Sequence, residues 1–390
     1  MQDDTKLVHL ARGAATTEGS VNLPVYRAST ILSPNLASYL LRHEGKKRYE
    51  NVTYGATGTQ NSRALAGAVA ELEGGKHCVI TASGLSAVTF AISAFVGAGD
   101  HLLVTDSAYG PTRRFCSEVM RRYGVEVDYY DPRASADQVR ALIRPNTRLL
   151  YLEAPGSLTF EMQDVPALAA LAREQGILSA MDNTWATPLG FRPLEHGVDL
   201  SIQAGTKYIA GHSDLVIGMI SSNDDAIHER LADHVMTFGD VASPDDCYLT
   251  LRGMRTLGVR LRQQYGAGLE IATWLEAQPE VKRVLYPPLA SDPGHALFAR
   301  DFSAGASLFG LALETTDMDA VHRMVDGLTL FPIGSSWGGY ESLVAMNHMP
   351  VARDHIPWVE TPYLLRLHIG LESPEDLMAD LRAGLDRLSA

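Results

Sequence analysis

Cysteine is scarce: the 390 residues hold only Cys78, Cys116 and Cys247. An odd, widely spaced set suits neither a disulfide framework nor a zinc site, and it fits a reducing compartment. Long apolar runs are missing too. None approaches the ~20 residues needed to cross a bilayer, and Met1-Gln-Asp-Asp-Thr-Lys6 lacks the basic and apolar regions of a secretory leader. A cytoplasmic location is expected. Basic charge is in short supply, with 33 Lys and Arg against 46 Asp and Glu and a net charge of −13, which argues against nucleic acid or an anionic membrane as partner. The thirteen histidines show no metal-ligand spacing; His9, His77, His212 and His368 read as structural or solvated, and no metal is expected. No G-x-S-x-G elbow appears, so a Ser-His-Asp hydrolase is poorly supported. Internal repeats and low-complexity tracts are absent.

What is present is an α/β pattern in a chain too long for one ordinary core. Up to about residue 60, breakers such as Gly19-Ser-Val-Asn-Leu-Pro24 and the charged stretch Arg42-His-Glu-Gly-Lys-Lys-Arg48 leave little to fold alone. An arm lying across a neighbouring subunit is expected there. From residue 61 short apolar strands alternate with amphipathic helices: Cys78–Ala82, His101–Thr105, Val125–Tyr130, Arg148–Leu152, Leu178–Met181, Leu200–Gln203 and Val216–Ile220, with helices such as Leu85–Val96 and Val165–Gln175 between them. This alternation predicts a mostly parallel sheet covered on both faces, with ligand-binding groups collected beyond the strand ends. A long helix-like run, Cys247–Glu276, opens a third segment, in which Ser307–Leu313 and Tyr363–Ile369 are strand candidates. The expected organisation is an arm (1–60), an α/β domain (61–249) and a smaller α+β domain (250–390).

Several strand ends carry chemistry. Met181-Asp-Asn-Thr-Trp185 ends an apolar strand in a carboxylate, and 25 residues further on Ala204-Gly-Thr-Lys207 follows another. A lysine amine can form an imine with the aldehyde of pyridoxal phosphate (PLP), and an aspartate can hold the ring nitrogen protonated so that the ring accepts carbanion charge. Removing the ammonium from water favours the neutral, nucleophilic amine. Asp182 is also good helix N-cap chemistry, and an isolated Thr-Lys pair is ordinarily a solvated one. Thr81-Ala-Ser-Gly-Leu-Ser-Ala87 is a small-residue turn at a helix start whose free N–H groups suit a phosphate, or simply a tight turn capped by Ser83. Tyr109 follows a strand end, where an aromatic could lie over a flat ring. Arg366, inside the apolar Tyr363–Ile369, must find an anion or incur several kcal/mol of desolvation; a substrate carboxylate or a structural ion pair would satisfy it. Ser335-Ser-Trp-Gly-Gly-Tyr-Glu341 reads as a pocket wall.

In this order the segments resemble the cystathionine lyase and synthase family of PLP enzymes (the Cys/Met metabolism, or trans-sulfuration, group), from about residue 10 to the end. Three features resemble its β-lyase branch: Glu153-Ala-Pro-Gly-Ser157, Gly253-Met-Arg-Thr-Leu-Gly-Val-Arg-Leu261 and Ser336-Trp-Gly-Gly-Tyr-Glu-Ser-Leu343. The resemblance implies the aspartate-aminotransferase type of PLP fold (fold type I), with a seven-stranded central sheet. It implies that Lys207 holds PLP and acts as general acid–base, that Asp182 pairs with the ring nitrogen, and that Tyr109 stacks on the ring. Gly84, Leu85 and Thr206 would bind the phosphate. Tyr54 would reach the neighbouring subunit's site, and Arg366, Ser336 and Trp337 would hold the substrate's α-carboxylate end. A homodimer or homotetramer with shared sites follows.

Two positions depart from the family pattern. Ala56 stands in Tyr54-Gly-Ala56 where relatives have Tyr-x-Arg, and Ala204 begins what is often Ser-x-Thr-Lys. One lost charged hydrogen bond costs ~1.5–3 kcal/mol, and Arg63 and Arg48 are the nearby candidates to compensate. The implied activity is α,β-elimination of L-cystathionine to homocysteine, pyruvate and ammonia. The alternatives are a γ-lyase or γ-synthase, a lyase for another sulfur amino acid, or a catalytically silent protein of the same fold.

Overall fold

The apolar alternation becomes seven strands: β1 (His77–Thr81), β2 (His101–Thr105), β3 (Glu126–Tyr130), β4 (Thr147–Glu153), β5 (Leu178–Asp182), β6 (Leu200–Gln203) and β7 (Gly218–Ser222). The computed structural model describes residues 1–12, 19–45, 51–349 and 353–389. The strands form one sheet in the order β1-β7-β6-β5-β4-β2-β3. β7 is antiparallel to both β1 and β6, and the other neighbours are parallel.

Successive side chains of a strand point to opposite faces, and here both faces are dry. Leu102, Val104, Leu149 and Tyr151 pack on one side with Ala87, Ala91 and Ile92 of the helix Gly84–Ser93. Leu103, Leu150, Leu152 and Met181 pack on the other with Leu168 and Ala172 of the helix Val165–Glu174. Each such fully buried aliphatic side chain contributes ~1.5–3 kcal/mol. Every strand except β7 runs the same way, so the carboxyl ends of β1, β2, β4, β5 and β6 share one edge.

The helix-like run Cys247–Glu276 is two helices, Pro244–Met254 and Leu257–Glu276. Arg260 explains the break. Its guanidinium, buried and with its pKa brought down to about 10 by desolvation, donates to the carbonyls of Gly253 (2.9 Å) and Tyr208 (2.8 Å). It thus satisfies a helix-end acceptor and braces the residue after Lys207.

A four-stranded antiparallel sheet follows, in the order β10-β11-β9-β8, from β8 (Val281–Leu285), β9 (Leu308–Leu313), β10 (Leu343–His348) and β11 (Tyr363–His368). The core cluster under the large sheet continues into it through Leu311, Leu365 and Leu367.

The N-terminal segment divides. Asp3–His9 is helical and docks on the chain's own body, with Leu7 buried and Asp3 paired to Arg192 at 2.6 Å. The helix Leu36–His43 buries nothing, leaving Leu36, Tyr39, Leu40 and Leu41 exposed. Among the described residues no helix is long and apolar enough to cross a membrane.

Candidate active site

The shared strand edge and the small sheet enclose a cavity of about 580 Å³. Lys207, Asp182, Tyr109, Gly84, Leu85, Thr206, Ser336, Trp337 and Arg366 all line it.

Lys207 lies in the turn after β6. Its Nζ donates to the Ser336 hydroxyl at 2.8 Å and stands 5.3 Å from the Trp337 ring centre. Burial, then the positive charge of Arg366, bring its pKa down to about 8, against an opposing pull from Asp182. Gly338 makes the approach of this wall possible. Its φ is +85°, and a Cβ there would meet the Lys207 Cα at 2.9 Å.

Asp182 ends β5 and caps no helix; the next one begins at Thr187. Its Oδ1 accepts the Thr184 N–H at 3.0 Å, and burial raises its pKa. The side chain faces the cavity that Lys207 enters.

Arg366 occupies the interior strand β11, opposite Ala345 and Gly310. Among the described residues no carboxylate pairs with it; it donates to the carbonyls of Ser335 (2.7 Å) and Ser336 (3.1 Å). The structural ion pair considered for it from the sequence is therefore absent among those residues, and its charge is open to an anion.

Gly84 and Leu85 begin a helix whose N-cap is Ser83, accepting the Ser86 N–H at 3.0 Å. Their own N–H groups have no partner within the helix and suit a phosphate. A Cβ on Gly84 would meet that of Ala204 at 2.5 Å, so the close packing here requires glycine. Thr206 lines the cavity, but its hydroxyl is engaged with Ile217, accepting its N–H (3.0 Å) and donating to its carbonyl (3.2 Å).

Tyr54 does not join this cavity; 52% of it is exposed, on the chain's periphery. Ala56 lines a separate small hollow with Arg63 and Asp240. Arg63 donates to the carbonyls of Asn51 and Thr57, both at 3.3 Å, so it holds the Tyr54 segment instead of reaching a phosphate in this cavity. Arg48 lies outside the described residues.

Glu153, Ser157, Thr184, Trp185 and Asn347 also line the cavity and were not read as site residues. Glu153 had a signal of the same kind as Asp182, a carboxylate closing an apolar strand. Asn347 had none, because its strand was not recognised.

An amine of lowered basicity, a strand-end carboxylate, a helix start and a guanidinium with no carboxylate partner among the described residues, all around one cavity, define a PLP-dependent α/β enzyme. The model of the Cys/Met metabolism PLP-dependent enzyme family matches residues 4–386. The chain belongs to that family. It is 43% identical to the cystathionine beta-lyase of Bordetella avium, over 98% of this chain and 97% of that one. With cystathionine beta-lyase MetC of Escherichia coli K12 the identity is 40%, over 99% and 98%. An L-alanine/L-glutamate racemase of Wolbachia pipientis is 38% identical over 100% and 98%. Among solved structures, metB from Corynebacterium glutamicum superimposes with a TM-score of 0.90 at 30% identity, covering 100% of this chain and 98% of that one.

Proposed function

We propose that the chain is a carbon–sulfur β-lyase that cleaves L-cystathionine to homocysteine, pyruvate and ammonia with the uptake of water. The observation that carries this reading is the convergence on one cavity of Lys207, Asp182 and an Arg366 that has no carboxylate partner among the described residues. When bound, pyridoxal phosphate supplies an electron-withdrawing ring that eases loss of the proton on a substrate's α-carbon.

This chain's residues divide the remaining work. Lys207 Nζ would hold the cofactor, and Asp182 would keep a proton on its ring nitrogen. Tyr109 would cover the ring, and the first N–H groups of the helix at Gly84 and Leu85 would take the phosphate. Arg366, with Ser336 and Trp337, would hold the substrate's α-carboxylate end and so aim the α-carbon at Lys207. Lys207 Nζ would take the proton from the substrate's α-carbon and return it to the departing sulfur. A group that must take and return a proton works best with a pKa near the working pH, which the lowering toward 8 supports.

Tyr54 and the exposed apolar side of Leu36–His43 support a role at a neighbouring subunit, in a homodimer or dimer of dimers with shared sites. The division into an arm (1–60), a cofactor domain (61–249) and a C-terminal domain (250–390) belongs to the same reading. Three buried, unbridged cysteines support a reducing, cytoplasmic setting.

Incubation with L-cystathionine tests the activity. Pyruvate with homocysteine is expected, and Lys207→Ala should lose at least the ~10²–10⁴-fold that general acid–base catalysis contributes. Production of 2-oxobutyrate with cysteine would assign γ-cleavage instead. D-alanine formed from L-alanine with no keto acid from cystathionine would assign racemisation.

A further inference from the structure

Beside Asp182 stands a second buried carboxyl that this mechanism does not use. β4 and β5 are parallel neighbours, and Glu153 is the register partner of Asp182 at their ends. Both line the cavity. Glu153 is 7% exposed, and burial, then the charge on Asp182, push its pKa up. No cation pairs with it among the described residues. A site that only needed to fill space would not bury a second carboxyl beside the first, where both cannot ionise cheaply.

Each of its oxygens is committed. Oε2 accepts the backbone N–H of Tyr109 at 2.8 Å, and Oε1 accepts the Ser157 hydroxyl at 2.6 Å. The Tyr109 N–H sits at the start of the short helix Gly110–Arg114, where no intrahelical carbonyl can reach it. The two loops touch independently, since Ser157 N–H donates to the Ser107 carbonyl at 2.8 Å.

We propose that Glu153 is a positioning residue, whose carboxyl ties the turn presenting Tyr109 to the loop of Ser157 and so fixes the aromatic ring over the cofactor beside Asp182. This rests on the reading of Tyr109 as the ring's cover. A neutral carboxyl keeps both ties, its carbonyl oxygen accepting from Tyr109 and its O–H donating to the Ser157 hydroxyl, and it leaves the charge of the pair to Asp182. Glutamine can keep both ties with the second reversed from the observed one: its carbonyl accepts from Tyr109 and its amide donates to the Ser157 hydroxyl. Alanine can do neither.

The test compares the holoenzyme with Glu153→Gln, Glu153→Ala and Ser157→Ala, reading the visible-region circular dichroism per bound cofactor alongside kcat and KM. Glu153→Ala should lose most of the dichroism and about 10²-fold in kcat, the cost of a ~1 Å misplacement. Glu153→Gln should stay close to wild type in both, and Ser157→Ala should fall between. Unchanged dichroism and kcat in Glu153→Ala overturn the proposal. So does a Glu153→Gln as impaired as the alanine variant, which would make Glu153 a proton carrier. Should Glu153→Ala fail to fold, an unaltered dichroism in Ser157→Ala overturns it. A wild-type protein without a visible cofactor band would instead overturn the underlying cofactor assignment.

Discussion

Lys207 and Arg366 are joined through a single residue: the lysine amine donates to the hydroxyl of Ser336, while the guanidinium holds the carbonyl of that same serine. The two positive groups thus share a wall of the cavity and disfavour each other's charge. Arg366 is the second-largest influence on Lys207 after burial, and it acts in the same direction.

The pH dependence follows from that. An amine attacks an aldehyde in its neutral form, which prevails above its pKa. With the Lys207 pKa at about 8 instead of 10.5, the apoprotein's rate of taking up pyridoxal phosphate should rise through pH 8 and level off above it. Arg366→Ala removes a repelling charge, so its midpoint should move upward. Absorbance-monitored reconstitution across pH measures both. A wild-type midpoint in the ordinary lysine range would show that Lys207 is not desolvated.

Arg366 itself should matter far more to substrate than to stability. Truncating one partner of a buried charge pair costs 2–5 kcal/mol or more, so Arg366→Ala should lower kcat/KM by at least ~30-fold, chiefly through KM. Arg366→Lys should recover only part, because an ammonium cannot make the planar two-point contact with a carboxylate. The melting temperature should change little, since among the described residues no carboxylate loses a partner and only the Ser335 and Ser336 carbonyls lose a donor. A KM unaffected by Arg366→Ala would remove the arginine from substrate binding.

The seven strands of the large sheet were legible because a sheet buried on both faces needs near-continuous apolar runs, which stand out in a chain of this composition. The last one was read two residues early, as Val216–Ile220, because Val216 and Ile217 continue the apolar run; pairing with β1 and β6 begins at Gly218. β8 and β10 escaped recognition for a physical reason. They form the edges of the small sheet, where Lys282, Arg283, Asn347 and His348 are tolerated and break the apolar signal. Lys207 and Asp182 were readable as chemistry on strand ends. The break at Arg255 and Thr256 was not, because its cause is Arg260 reaching across space to carbonyls that only the fold brings near. Nor could the sequence say that Thr206 spends its hydroxyl on Ile217.

The proposal that subunits share sites makes a mixing prediction. Lys207→Ala lacks the amine of its own cavity, and Tyr54→Ala lacks the group it would lend to a neighbour; each should be inactive alone. Mixed subunits, unfolded and refolded together, should recover part of the wild-type activity, because one cavity per mixed pair then holds both Lys207 and a lent Tyr54. Steady-state assays of the mixture against each parent give the answer. No recovery, with mixed oligomers verified by mass, would place Tyr54 in the service of its own chain.

The resemblance implies an arginine where Ala56 stands, so position 56 is the place to test the hold on the cofactor phosphate. Ala204 offers no hydroxyl, Thr206 is engaged with Ile217, and Arg63 is turned to the carbonyls of Asn51 and Thr57. If the Tyr54 segment serves a neighbour's cavity, Ala56→Arg should add a charged hydrogen bond worth ~1.5–3 kcal/mol to the phosphate. At 1.4 kcal/mol per tenfold, that is a ~10–150-fold lower cofactor Kd, measured by equilibrium dialysis of the apoprotein. Ala56→Gln, which adds length without charge, should gain far less. The effect should also fade in pyridoxal, which lacks the phosphate. An Ala56→Arg protein with unaltered affinity would mean that position 56 does not face the phosphate, and that the helix start at Gly84 carries most of the binding.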